Sequence, residues 1–455
     1  MRKRTRLAAP EEVFGPEDYI SSLTDDILVS ILSRVKLKEA AVTSILSRRW
    51  RYVWTHLARF NFNGNKMLDK TAANRKLKSS ERPKYINWVN RVVRQHKGEI
   101  VDSVRICFDL DKSSKCALDN WVKFAISKGV QRLELDLLEN SETLRQPMRN
   151  YTFPYKQLCK KMSMKNVMRP NFGQMKCCLK ALSLKCVTVS EEAFDCILSE
   201  CPLLKYLSIH GSGDLVNVKV CRPSLMLKHL EIVFCLGIET IEISNVNLVS
   251  FSYLGPGIDL VINNVPMLDE ISIGEGYSGL ENNVFGQLSC CLYQLEVLTL
   301  EIYRPEENIK ISAFPELPKL KKLILKVGAW NDDSLLEFTS LVKACPNLNR
   351  FVLQLIWMAP AKRRRRIRKA AKCAHKFLKL VEIVGYYGRT SEAELVFYFI
   401  ENALSLQKIT IDPRNQILGR FPGGPDQIKK EESARKRARK QIEPKKPPGV
   451  QLIIL

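Results

Sequence analysis

The residues able to do bond-making chemistry are few and scattered. Five histidines occur, His56, His96, His210, His229 and His375, and none sits in the HExxH spacing that places two ligands on one helix face. A dinucleotide fingerprint is present in form: Gly274-x-Gly276-x-x-Gly279 follows an apolar string, with Glu296 and Glu301 about twenty residues further on. That string is one of a repeated set, the glycines do not open a clear helix, and a second mononucleotide half is missing, so cofactor binding is not expected. Cys177-Cys178 and Cys290-Cys291 are adjacent pairs, a poor arrangement for tetrahedral zinc, and are expected to fill core positions. The fourteen cysteines are diluted through the chain without a CxxC pair, which predicts reduced thiols. The expectation is therefore a protein with no catalytic residue, no cofactor and no metal.

Charge offers a second chemistry. The net charge is +24, but residues 1–6 carry +4 of it, residues 362–376 carry +9 and residues 429–446 carry +6, leaving a body of only +5. Arg363 to Lys369 and Arg435 to Lys440 could neutralise phosphates, yet no interleaved aromatics or base-reading module accompany them. Nucleic-acid binding is thus disfavoured against a solvated loop for the first run and a nuclear-import signal for the second. No apolar run approaches the roughly 18–20 residues of a membrane span. Localisation in nucleus, cytoplasm or both is expected.

The elements that organise the chain announce themselves by a cadence, apolar-x-x-apolar-x-apolar. It begins at Val101, Val130, Leu179, Leu204, Leu227, Leu248, Leu268, Leu295, Leu320, Leu348 and Leu406, with weaker copies at Cys159 and Leu380. The starts lie 20 to 32 residues apart, a spacing close to the roughly 20–29 residues of a leucine-rich repeat. Proline stands two residues before the first leucine at Pro202, Pro266, Pro318 and Pro346, where it stops the preceding helix and fixes the approach to the next strand. Helices are predicted between strands over Ser190 to Glu200, Asp332 to Ala344 and Ser391 to Asn402, each opening on a residue able to cap it. Between 227 and 268 a second strand-like string, Ile238 to Ile243 and Ile258 to Ile262, takes the helix's place.

Residues 17–62 have a different period. Leu23, Ile27, Leu28, Ile31, Leu32 and Val35 follow helical spacing, with Thr24, Asp25 and Asp26 expected to supply a cap and negative charge at the helix N-terminus, and two further short helices are predicted over Lys38 to Leu46 and Ser47 to Leu57. The string Tyr19-Ile20-Ser21-Ser22-Leu23-Thr24-Asp25-Asp26-Ile27-Leu28, continued by Thr43-Ser44-Ile45-Leu46-Ser47-Arg48-Arg49-Trp50, resembles the F-box of plant F-box/leucine-rich-repeat proteins. Leu378 to Pro413, with Val381-Glu382-Ile383-Val384-Gly385-Tyr386, resembles the FBD region that ends many of them. The resemblance implies a substrate receptor of a Skp-cullin-F-box ubiquitin ligase. In it, Leu23, Ile27, Leu28, Ile31, Leu32 and Leu37 match the positions that face the Skp-type adaptor, and the repeats hold a protein target. Thr24 and Lys36 stand where the family usually has proline, a departure expected to weaken docking by roughly 1–2 kcal/mol.

The fold class expected is an α/β solenoid in which a small N-terminal three-helix F-box precedes a curved leucine-rich-repeat array. Its divisions are a basic tail over 1–16, the F-box over 17–62, a helical linker over 63–98 and repeats over 99–375 with a basic insertion at 360–376. FBD-like terminal repeats over 377–415 and a basic disordered tail over 416–455 follow. The x positions of each string point away from the core. They make Lys205, Tyr206, Lys228, His229, Glu231, Asp269, Glu270, Glu296, Lys321, Lys322 and Arg350 the candidate target-binding residues. Their mixed signs and sizes name no ligand.

Overall fold

The computed structural model describes residues 19–20, 22–73, 75–138, 147–158, 177–274, 287–302, 315–329, 332, 334–357, 366–414 and 425–455. Its frame is a 14-stranded sheet in which every neighbouring pair is parallel and the strands follow one another in chain order. The strands are β1 (Arg59–Asn63), β2 (Ser103–Cys107), β3 (Arg132–Asp136), β4 (Ala181–Lys185), β5 (Tyr206–His210), β6 (His229–Val233) and β7 (Ser250–Leu254). They continue as β8 (Glu270–Gly274), β9 (Val297–Ile302), β10 (Lys322–Ala329), β11 (Arg350–Trp357), β12 (Leu380–Val384), β13 (Lys408–Asp412) and β14 (Gln451–Ile454).

The cadence explains the register. Its second and third apolar residues fall opposite their counterparts in the next strand, as in Leu207 to Leu230 to Phe251 and Ile209 to Ile232 to Tyr253, and all six are buried. Side chains alternate across a strand, so these two rows form the core while the x residue between them faces outward. Each such leucine removed from water contributes about 1.5–3 kcal/mol.

The cadence misleads at three places. The copy at Cys159 lies outside the described residues, and β3 pairs directly with β4, Leu133 opposite Leu182, leaving no room for a strand between them. In β12 the core residues are Leu378, Val381 and Ile383, so the string there starts two residues before Leu380. β1 and β14, one at each margin of the sheet, were not among the expected strings.

The predicted helix over 190–200 is present as α7 (Glu191–Glu200), with the Ser190 hydroxyl accepting the Ala193 N–H at 3.3 Å. The helix expected from Asp332 starts later, as a 3-10 turn over Leu335–Phe338 and α8 (Thr339–Lys343). Asp332 instead caps another helix, α9 (Thr390–Asn402): its carboxylate accepts Ser391 N–H at 3.0 Å and Thr390 N–H at 3.2 Å. Between β5 and β8 the second strings form a small parallel sheet of Asn217–Val220, Thr240–Ser244 and Asp259–Asn263.

The disordered tail expected over 416–455 is not what residues 425–455 form. Pro425–Ile442 is a helix, α10, and Gln451–Ile454 adds to the sheet beside β13. Lys, Arg and Glu dominate the composition, but Ala434, Ala438 and Ile442 recur every four residues and are all buried. A stripe that narrow suffices because α10 rests on built contacts: the Tyr386 hydroxyl donates to Gln441 at 2.7 Å, and Arg437 donates to the Tyr387 carbonyl at 3.1 Å. Gly388, at φ +76°, lies under Arg437, and a Cβ there would sit 2.7 Å from the arginine's own.

Candidate functional site

The N-terminal unit contains α1 (Asp25–Leu32), α2 (Leu37–Val42) running into a 3-10 turn over Thr43–Ile45, and α3 (Trp50–Val53) running into another over Trp54–His56. Thr24 has the extended backbone of an N-cap, but its hydroxyl makes no capping bond, contrary to expectation. Arg49 fastens this end of α1 instead: its Nε is 2.8 Å from the Asp25 carboxylate, and it also donates to the Leu23 carbonyl. At Lys36 the backbone N–H donates to Glu39 at 3.3 Å, which stitches the first turn of α2 without proline.

The six residues matched to the adaptor face do not share one environment. Leu28, Leu32 and Leu37 are buried in the molecule's own core and Leu23 is half-buried, while Ile27 and Ile31 are 46% and 43% exposed. Helical spacing cannot separate these sets, since 27/31 and 28/32 are both i, i+4 pairs about 100° apart around the helix. The exposed apolar surface extends to Val35, which shares the helical spacing but is not among the six, and to three residues that spacing did not flag: Val42, Ile45 and Leu46, the last two at 82% and 64% exposed. The signal was present in Val42, Ile45 and Leu46, because a short helix beside α1 can turn only some of its apolar residues inward.

The opposite side of this unit is joined to the sheet. Trp50 and Trp54 are buried in the same apolar cluster as Phe60 and Phe62 of β1, and Lys38 lies 4.6 Å over the ring of Trp88. Trp88 belongs to α5 (Lys78–Gln95), which with α4 (Asn65–Ala73) fills the segment expected as a helical linker. Buried Tyr85, Val89 and Val92 make α5 part of the core, and Tyr85 stacks on Phe108 with ring centres 4.4 Å apart.

On the outward face of the sheet the candidate target-binding residues separate into groups. Tyr206, His229, Glu231 and Glu270 meet around a cavity of about 350 Å3, joined by Ser250, Ser252, Ser272 and Thr299. The Tyr206 hydroxyl donates to Glu231 at 2.9 Å, and His210 Nε2 is 3.3 Å from the same carboxylate. The adjoining His210 imidazole, helped by the Tyr206 hydroxyl, holds the Glu231 carboxyl down to about 2 against the upward push of burial. Burial and the neighbouring carboxylate push the Tyr206 phenol up to about 12.

Glu296, Lys321, Lys322 and Arg350 line a second cavity of about 680 Å3 with Asn347, Phe377 and Lys379. Lys321 pairs with Glu296 at 2.6 Å, an exposed pair of modest energetic weight, and Arg350 pairs with Glu382 at 2.8 Å in a half-buried setting. Lys205 and Asp269 are exposed and Lys228 donates to the Asn247 carbonyl at 3.0 Å; these three line neither cavity.

Gly276 and Gly279 lie outside the described residues. Gly274 ends β8, and a Cβ there would stand 2.5 Å from the Cβ of Glu301, so strand packing accounts for it. Cys177 and Cys291 are buried, as expected of core fillers, but Cys178 is only half-buried and Cys290 is exposed. Arg363 to Arg365 lie outside the described residues, and Arg366 to Lys369 are exposed. Among the described residues no helix is long and apolar enough to cross a membrane.

Two families match. The family described as F-box domain covers residues 20–62, and that described as At1g61320/AtMIF1, LRR domain, covers residues 92–455. The chain is 26% identical over 420 residues to the Arabidopsis thaliana F-box/FBD/LRR-repeat protein At2g04230, spanning 88% of this chain and 89% of that one. It is 24% identical over 421 residues to F-box/FBD/LRR-repeat protein At5g56420 of the same plant, spanning 87% and 92%. The two family matches take in the N-terminal unit and every strand from β2 onward, and the chain belongs to the plant F-box/FBD/leucine-rich-repeat proteins.

Proposed function

We propose that this chain is the substrate-recognition subunit of a Skp-cullin-F-box ubiquitin ligase, with the sheet wound as a solenoid whose outward face holds a protein target. The observation that carries the reading is the division of labour within the F-box. One side, through Leu28, Leu32, Trp50 and Trp54, is spent on the molecule's own core, while Ile27, Ile31, Val35, Val42, Ile45 and Leu46 remain in water. Exposed apolar groups gathered on one small unit mark a surface that a partner covers.

The adaptor-facing residues in this reading are Ile27 and Ile31, joined by Val42, Ile45 and Leu46, with Leu28, Leu32 and Leu37 supporting them from behind. The contribution to ubiquitin transfer is positional. A target held on the sheet is kept at high effective concentration beside the charged enzyme, with no reacting group supplied by this chain.

Affinity purification of the tagged chain from plant tissue, with proteasome and neddylation inhibitors present, tests the assembly. Recovery of a Skp-type adaptor, a cullin and a ubiquitinated target together is the expected result. Recovery of protein partners without adaptor or cullin would make it a leucine-rich-repeat scaffold without a ligase role.

A further inference from the structure

Where the α1–α2 turn of the F-box stands over the first strands there is a cleft of about 980 Å3, floored by β1 to β5. Its charge is one-sided. The turn contributes Arg34, Lys36 and Lys38, the strands contribute Arg59, Arg105 and Arg132, and α4 adds Lys66, against only Glu39 and Glu134. Glu134 is engaged by Arg105 at 3.0 Å, and Glu39 accepts the Lys36 N–H. Arg59 approaches Asp102 no closer than 4.0 Å, while Arg34, Lys36, Lys66 and Arg132 have no acidic partner among the described residues. Seven cations against two carboxylates concentrate positive potential in one walled groove of a body whose net charge outside the three basic runs is only +5.

The spacing selects the shape of the ligand. Arg59, Ser103 and Arg132 occupy one row across three neighbouring strands, which puts the two arginines about 10 Å apart at roughly 4.8 Å per strand. A chain in the extended polyproline II conformation advances about 3.1 Å per residue with three residues per turn, so acidic groups three residues apart lie on one side of it, about 9 Å apart, and meet both. Asn61, Asn63 and Ser183 offer amides and a hydroxyl on the same floor, and Trp88 and Met67 offer apolar ground at one wall. We propose that this cleft binds an extended peptide segment bearing acidic or phosphorylated side chains at three-residue intervals. The groove spans five strands, about 19 Å, room for some six residues. This deepens the reading of the sheet face as the target surface, rests on it, and gives it a ligand chemistry.

The test uses the full chain and fluorescein-labelled ten-residue peptides, titrated by anisotropy. One carries glutamate at every third position, one phosphoserine there, one alanine there, and one the same glutamates clustered at one end. The spaced acidic peptides are expected to bind saturably, more tightly than the clustered one, with affinity falling steeply as salt rises. Arg59→Ala with Arg132→Ala should weaken them at least tenfold, and Arg59→Lys with Arg132→Lys should restore most of that. Both arginines are exposed, and thermal melts of each variant verify the fold. Adaptor binding measured on the same variants should be unchanged, so failure of the cleft and failure of the ligase reading give different results. Equal binding of the alanine peptide, indifference to the double alanine variant, or binding of sodium tripolyphosphate but of neither acidic peptide would overturn the proposal.

Discussion

At the scale of single residues, burial decides which of two chemically similar side chains can meet a partner. Leu28 is fully buried, so Leu28→Ala should cost roughly 2–5 kcal/mol of folding stability, read as a lowered denaturation midpoint. Ile31→Glu, at an exposed position, should leave the midpoint nearly unchanged. Glu392 shows burial acting on charge. It is wholly buried, accepts Trp357 Nε1–H at 2.8 Å and Arg389 N–H at 2.7 Å, and burial pushes its carboxyl up to about 7 against the pull of these donors. A folded-state value above the ordinary carboxylate range means the native chain holds this proton longer than the unfolded one. Its contribution is therefore present below about pH 4.5 and is lost as pH rises toward 7, by up to about 3 kcal/mol. Glu392→Gln should lower stability overall yet flatten that decline, measured as the difference in urea midpoint between pH 5 and pH 8 for the two proteins.

At the scale of elements, the apolar cadence carried most of the strands, because a parallel strand buried by its neighbours needs only two inward residues to declare itself. β1 keeps the pattern as Leu57-x-x-Phe60-x-Phe62, but it starts 44 residues before Val101, outside the repeat period, and α5 occupies the gap. β14 escapes because Gly449 holds the first apolar place of its string. The exposed apolar face proposed for the adaptor was only partly legible as an exposed face: period shows which residues share a helix face, whereas which face looks inward depends on Trp50, Trp54 and Phe60 arriving from elsewhere. The tail was misread because composition averages over a helix, hiding the Ala434, Ala438, Ile442 stripe among its cations. Removing residues 425–455 takes away β14 and uncovers the edge of β13 and the face of α9 that α10 touches. The shortened chain should melt several degrees lower, and should show amide exchange in β13 far faster than in β7.

At the scale of the molecule, one apolar cluster runs from Leu28 through the strands to Val450, so the F-box, the proposed docking unit, is also an end cap of the sheet. Trp50 and Trp54 in the cap and Trp121 of α6 (Lys115–Ser127) belong to this cluster, and Trp88 packs against it. Their fluorescence should change in one transition on urea unfolding. Two transitions, with the tryptophans of the cap released first, would mean the F-box folds on its own.

The role of substrate receptor depends first on the adaptor. The most direct measurement is the affinity of the purified full-length chain for a purified plant Skp-type adaptor, by calorimetry, with Ile31→Glu/Ile45→Glu and Arg59→Ala/Arg132→Ala measured alongside. A one-to-one complex is predicted for the wild type and the arginine variant, with affinity lost at least a hundredfold in the isoleucine variant while its melt is preserved, since exposed apolar residues at the centre of an interface become buried there. A wild-type chain that binds no adaptor, or an isoleucine variant that binds as tightly as the wild type, would contradict the account.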